Sequence, residues 1–272
     1  MRFARQDQVG AGIARTGVHE LAVSEVIWRL TGPDDLAVDV GANIGYFTGL
    51  LAIRAREVVA LEPNPRVIPF LAGNRLRWSA TGEKIRLDFR AVSDTTGTAV
   101  LHLPSHFAAN RGTATLAAAV DEAGMETYDV ETVSLDEVIG GREVGMLKID
   151  VEGHELAAFH GAGATLAAGL VRDIVFEDHE RPPTPVTTLL ENAGFSIFGI
   201  KETLLGSKLT PPTHAPAGWD APTYLATRQP ERAARRLATP GWQVLYPRLS
   251  HALRSYRVRS AGRVTRTAPA GR

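Results

Sequence analysis

The chain has 272 residues, 44% of them hydrophobic, which is enough for one large domain with a full core or for two small ones. It has no cysteine, which excludes disulfide staples and thiolate metal sites, and no apolar run of about 18 residues that would span a membrane. The formal net charge of zero hides an asymmetry: residues 228–272 hold eleven arginines against one acid, Glu231, so a tail of about +10 follows a stretch of about −10.

The opening MRFARQDQVG carries charge with no apolar core behind it, so a secretory signal is not expected and a cytoplasmic chain is. VHELAVSEVIWRL (18–30) spaces Leu21, Val23, Val26, Ile27 and Leu30 as a helix does, and TGP stops it. DLAVDV (35–40) predicts a short buried strand, followed by a helix over 45–54. EVVALEP (57–63) predicts a second strand, then come a helix over 65–77 and a third strand over 84–92. TAVLHL (98–103) and YDVETV (128–133) alternate as strands of a small inserted hairpin. Ser134 and Glu137 have capping-box spacing. GMLKIDV (145–151) and LVRDIVFED (170–178) predict further core strands. A helix near 185–193 and FSIFGI (195–200) follow, then a Pro/Gly-rich loop over 201–222 and a returning strand, TYLATR (223–228). Strands alternating with helices predict an α/β fold, a doubly wound, mostly parallel, Rossmann-like sheet with both faces covered. The division expected is 1–227 as the α/β domain and 228–272 as a basic helical tail.

In such a sheet ligands bind at the carboxyl ends of the strands where strand order reverses. AVDVGANIGYF (37–47) brings a strand to Asp39 and then turns through Gly41 and Gly45, which let backbone and ligand approach closely. Glu62 ends the second strand, where a nucleotide-binding sheet places the acid that accepts from ribose hydroxyls. The dinucleotide fingerprint G-x-G-x-x-G is not met. The carboxylate of Asp39 would repel a pyrophosphate and suits a cationic ligand with an amino group, such as S-adenosylmethionine (SAM). An ordinary strand-to-helix turn is the bland alternative.

VDVGANIGYFT, ALEPNP, AVSD, LKIDVEGHE and FEDHE, in this order and spacing, resemble the FkbM-type SAM-dependent methyltransferases over roughly residues 17–200. The resemblance implies the class I methyltransferase fold with an antiparallel last strand, and methyl transfer to a hydroxyl of a sugar or natural product. It implies that Asp39, Gly41, Asn43 and Gly45 line the methionine part of SAM. By the same resemblance Glu62 holds the ribose, Val92 and Asp94 flank the adenine, and Ala42, Pro63 and Asn64 are further cofactor-binding positions. It says nothing about residues 228–272.

Asp150 and Glu152 end the fourth core strand, with His154 and Glu155 just beyond, and Glu177 and His179 end the fifth. Two apart on an extended segment, Glu177 and His179 are expected to point the same way. Asp150, His154, Glu177 and His179 are the candidates for a base that takes the acceptor's hydroxyl proton, and Asp150 is equally a candidate for holding the SAM amino group. Lys148 shares a face with Asp150 and is expected to pair with it. No metal ligand is assigned. Mg²⁺ on Asp150, Glu152 and Glu177 is conceivable but not favoured, since nothing in their spacing requires it. The partner expected is a small hydroxylated acceptor, not nucleic acid. A nucleic-acid methyltransferase using the arginine-rich tail, and a non-catalytic SAM-binding subunit, are the rival readings. In the tail, Leu245, Leu249, Leu253 and Tyr256 fall on one helical face. Docking of that helix on the chain's own acidic part, or on a second subunit as a homo-oligomer, is expected before membrane binding.

Overall fold

The alternation resolves, in a computed structural model describing residues 1, 10, 13–14, 17–104, 114–116, 125–214 and 222–245, into one α/β unit. Its first half runs α1 (Leu21–Leu30), β1 (Leu36–Val40), α2 (Tyr46–Arg54), β2 (Glu57–Leu61), α3 (Ile68–Arg77), α4 (Ser79–Gly82), β3 (Ile85–Asp88), β4 (Ala91–Val92), β5 (Gly97–Leu103) and β6 (Glu126–Val133). The second half runs α5 (Leu135–Ile139), β7 (Val144–Ile149), α6 (Glu155–His160), α7 (Gly163–Ala167), β8 (Val171–Glu177), α8 (Pro185–Asn192), β9 (Ser196–Thr203), β10 (Gly206–Thr210), β11 (Thr223–Thr227) and α9 (Pro230–Leu237).

Eight strands form the main sheet in the order β10-β9-β11-β8-β7-β1-β2-β3. The pairs from β8 to β3 are parallel, and β11 is antiparallel to both β8 and β9. This is the class I methyltransferase arrangement with its reversed last strand. Strand order reverses between β1 and β7, which opens a crevice at their carboxyl ends. β1 and β7 are buried at every residue, because helices cover both faces. On one face Val38, Leu147, Ile174 and Phe176 meet Phe159 and Leu190, and the Phe176 ring stacks on Tyr224 at 5.6 Å. On the other, Ala37, Met146 and Val175 meet Val26, Ile27 and Leu51 from α1 and α2. Each such Val, Leu, Ile, Met or Phe side chain contributes about 1.5–3 kcal/mol when fully buried.

Three expectations are corrected. The single strand over 84–92 is two: β3 joins the main sheet, whereas β4 pairs with β6 beside the β5–β6 hairpin in a separate three-stranded sheet. Between them Asp88 accepts from the Arg90 backbone and guanidinium, and this local turn breaks the strand. The loop over 201–222 contains β10, whose hairpin with β9 extends the sheet to a new edge. The capping box at Ser134 is half formed. Ser134 Oγ accepts from Glu137 N at 3.2 Å, but the Glu137 carboxylate turns to Arg90 and Thr96. The full reciprocal box belongs to Thr184 and Thr187, ahead of α8.

Beyond β11 the chain crosses back over α1. Arg29, 4% exposed, donates Nη1 to the Thr239 carbonyl and Nη2 to that of Gly241, both at 2.6 Å. Glu25, fully buried, accepts from Arg29 Nε at 2.5 Å and from the backbone N–H groups of Gln243 and Val244 at 2.8 Å. Arg232 of α9 reaches Asp173 at 2.8 Å. The expected helix carrying Leu249, Leu253 and Tyr256 lies outside the described residues.

Candidate active site

The turn after β1 is built by its neighbours. Gly41 and Ala42 donate backbone N–H groups to the Leu61 carbonyl at 3.0 and 2.9 Å. Gly41 has φ +75, and a Cβ there would overlap the Asp150 carbonyl oxygen. Gly45, φ +91, would drive a Cβ to 2.7 Å from Leu71 Cδ1 and 2.9 Å from Trp78. Both glycines are therefore demanded by the chain's own packing, not only by the approach of a ligand. Asn43 adopts φ 50 and steadies it by accepting from Ile44 N through its own Oδ1 at 2.8 Å.

Glu62 stands where β2 ends, 7% exposed. Its Oε2 accepts from Asn43 N at 2.7 Å and its Oε1 from Asn64 N at 2.9 Å. Burial pushes its pKa up to about 7 against those two donors, and the nearby Asp39 and Asp150 add to the rise. Asn64 Oδ1 in turn accepts from Arg66 N at 2.9 Å, closing the turn into α3. Asp39 is fully buried beneath the turn and holds Thr48 Oγ1 at 2.5 Å through Oδ2, while its Oδ1 is buried with no protein partner. Burial raises its pKa, opposed by Lys148 and Thr48.

Register places Lys148 of β7 directly beside Asp39 of β1. Lys148 is buried over the Phe47 ring, 4.9 Å away, and donates to Asp150 Oδ2 at 2.9 Å, the pair expected from their shared face. Burial works against its charge but is outweighed by Asp150, Asp39 and Glu20, which hold its proton well above the ordinary lysine range. Glu177, at the end of β8, has its pKa raised by burial first and by Asp150 and Glu20 next, against Lys148, and this shift favours its protonated form. Glu20 was not found by sequence reasoning, because a residue just before a helix carries no periodic signal. It caps α1 in a left-handed conformation, φ 43, with its carboxylate 2.8 Å from His19 Nε2.

Two hollows result. The larger, about 610 Å³ of empty space, is lined by Gly41, Asn43, Glu62, Val92, Asp150 and His154 among others. The smaller, about 170 Å³, is lined by Glu20, Val23, Lys148, Asp150, Glu177 and Thr223. Asp150 borders both. Pro63 joins the larger wall, whereas Asp39, Ala42, Gly45, Asn64 and Asp94 do not line it. His154 caps α6, and its Nε2 lies 3.0 Å from Ser93 Oγ, near Val92. Burial lowers its pKa. Glu155 folds back to accept from Val151 N and Gly153 N, which makes it a brace of the turn after β7. The expectation that Glu177 and His179 lie side by side is corrected. The extended run ends at Glu177, residues 179–180 form a bend, and His179 is exposed and borders neither hollow. Between them Asp178 is buried and accepts from Thr184 Oγ1 at 2.6 Å, which turns the chain into α8. Among the described residues no group of three His, Asp or Glu side chains is arranged to hold a metal ion.

Among solved structures, the chain is similar to a methyltransferase FkbM from Methylobacillus flagellatus KT at 16% identity and a TM-score of 0.45, covering 79% of this chain and 60% of that one. It is similar to an S-adenosylmethionine-dependent O-methyltransferase from Thermotoga maritima at 13% identity and a TM-score of 0.44, covering 80% and 69%. A magnesium protoporphyrin IX methyltransferase from Synechocystis PCC 6803, with bound S-adenosylmethionine, shows 14% identity and a TM-score of 0.45, covering 84% and 86%. The chain thus spans about three fifths of the length of the FkbM structure. No curated protein matches it. The family model described as the methyltransferase FkbM domain matches residues 39–197, from the buried aspartate of β1 into β9. With that match covering more than half of the sequence, the chain belongs to the FkbM methyltransferase family.

Proposed function

We propose that this chain is a SAM-dependent O-methyltransferase acting on a hydroxyl of a sugar or natural-product acceptor. The observation that carries the reading is the position of Asp150, which borders both the larger cleft and the small acid-lined hollow and is salt-bridged to Lys148.

The residues of the cleft fit SAM. Leu61, Ala91, Val92 and Leu101 offer apolar walls for a flat base, and Glu62 offers a carboxylate where ribose hydroxyls would donate. Asp39 and Asp150 supply the negative field that a sulfonium and an amino group require, and the buried Oδ1 of Asp39 has acceptor capacity to spare. SAM, when bound, supplies a methyl group already activated on sulfur. The work left to the protein is to align the acceptor oxygen, which provides much of the acceleration, and to take its proton.

Asp150 is the group we assign to that proton, for a general-base contribution of about 10²–10⁴. Lys148 fixes its rotamer from below. Glu177, whose protonated form burial and Asp150 favour, is assigned a hydrogen bond to the acceptor in place of the base role. Of the four sequence candidates, His154 stands beside Ser93 and Val92, away from the small hollow, and so contributes to the cofactor wall. Calorimetry with S-adenosylhomocysteine, followed by methyl transfer from labelled SAM to a panel of hydroxylated acceptors, tests the proposal. An intact chain that binds no S-adenosylhomocysteine would sink it, as would transfer only to nitrogen or carbon acceptors.

A further inference from the structure

The first turn of α2 follows the Gly41–Gly45 turn directly, so whatever fixes that turn also fixes the start of the helix. Thr48 Oγ1 donates to Asp39 Oδ2 at 2.5 Å, and the Phe47 ring lies 4.9 Å from Lys148 Nζ. Tyr46 reaches the entry to α1 instead. Its Oη lies 3.0 Å from Ser24 Oγ, which donates to the His19 carbonyl at 2.6 Å. A serine hydroxyl carries one proton, so with that proton directed at the His19 carbonyl the tyrosine is the donor of its pair. Burial, which raises the Tyr46 pKa, keeps its proton in place. The His19 ring stands edge-on to Tyr46 at 5.7 Å between centroids, and 5.9 Å from that of Phe47.

These contacts hold one wall of the smaller hollow. Glu20 and Val23 line it together with Lys148, Asp150 and Glu177. Glu20 has φ 43, a left-handed conformation that a residue with a Cβ keeps only where its surroundings impose it. Its side chain makes no capping hydrogen bond to α1, so the Ser24–His19 bond sets how the chain enters the helix. Ser24 itself is fully buried, and its N–H closes the first turn on the Glu20 carbonyl at 2.8 Å. A relay of two hydrogen bonds, Tyr46 to Ser24 to His19, thus joins the end of the cofactor turn to the residue next to Glu20.

We infer that Tyr46 is a positioning residue that couples the two hollows: through Ser24 it ties the Glu20–Val23 wall of the smaller hollow to the cofactor turn, so that a ligand held at the turn orders the wall that receives the acceptor. The inference rests on the reading of the larger cleft as the SAM site. Coupling of this kind is reciprocal, so an acceptor resting on the wall should in turn tighten cofactor binding. A tyrosine that only fills space acts through its ring, which phenylalanine keeps. The relay needs the hydroxyl.

Hydrogen exchange on the full chain, with and without saturating S-adenosylhomocysteine, tests this and needs no known acceptor. With the ligand, the amides of Ser24, Glu25 and Val26 should exchange at least about fivefold more slowly. Tyr46→Phe and Ser24→Ala should each remove that protection, and a chain with both changes should match either one alone, because they break one link. Calorimetric affinity for S-adenosylhomocysteine should stay within about threefold of the parent chain in all three, which certifies their fold. Ligand that binds but leaves these amides unprotected overturns the coupling and spares the cofactor site. Protection that survives the substitutions overturns it too, as does equal protection of α8, which borders neither hollow and would report stabilisation of the whole domain. An intact chain that binds no S-adenosylhomocysteine overturns the cofactor reading and the coupling with it.

Discussion

Glu25→Ala isolates the part of the chain that ties the C-terminal segment to the catalytic domain. Glu25 is fully buried and accepts three hydrogen bonds, from Arg29 Nε and from the backbone N–H groups of Gln243 and Val244. Removing it leaves the Arg29 guanidinium buried without its counter-charge and leaves two backbone donors unpaired. A buried ion pair broken on one side costs about 3–5 kcal/mol, because the surviving charge has no water to return to. For a domain of this size each kcal/mol lowers Tm by about 2–4 °C, so the variant should melt roughly 6–20 °C below the parent chain. Thermal unfolding gives the Tm and urea denaturation the free energy, both followed by tryptophan fluorescence, since Trp28 and Trp242 both pack on that face. Replacing both partners with apolar residues, Glu25→Leu/Arg29→Met, should recover part of the loss, since no uncompensated charge then remains. A Glu25→Ala chain within about 1 kcal/mol of the parent would refute the view that residues 236–244 are latched through this pair.

Cofactor affinity should depend on pH through Glu62, whose ionised form accepts hydroxyl donors. With its pKa raised to about 7, binding of S-adenosylhomocysteine should be flat above pH 8 and about 30-fold weaker at pH 5.5, and Glu62→Gln should abolish that slope. Stability has the opposite sign. A carboxyl whose folded pKa lies above its unfolded value stabilises most when protonated, so the unliganded domain loses stability from about pH 4.5 through pH 7, and Glu62→Gln should flatten this dependence in thermal scans. Asp150→Asn should lower turnover by about 10²–10⁴. Glu177→Gln, which keeps a neutral hydrogen-bond donor, should retain most activity at pH 7; a loss as large as that of Asp150→Asn would assign Glu177 the base role instead. Gly41→Ala should yield little soluble protein, because the added Cβ overlaps the Asp150 carbonyl, and normal expression with normal S-adenosylhomocysteine binding would contradict the packing described.

The sequence by itself determined the α/β class, the positions of the core strands and the carboxylates at their ends. Period-two and period-3.6 burial patterns are local properties, and the motif from Asp39 to Gly45 is contiguous. It also paired Lys148 with Asp150, since alternation along one strand is enough to place both on one face. It did not show where β3 breaks, because the Asp88 turn that moves β4 to another sheet depends on side-chain bonds to Arg90. Nor did it show that His179 leaves the line of Glu177, since the bend follows from burying Asp178 against Thr184 six residues on. Glu20 and Glu25 belong wholly to the tertiary structure. Only the packing of α1 over the sheet brings Glu20 to Lys148 and Glu177, and only the return of residues 236–244 gives Glu25 its partners. The raised pKa of Glu177 is likewise a property of the assembled site, because desolvation, Glu20 from before α1, and Asp150 and Glu152 from the turn after β7 converge on it, and no local window contains them all.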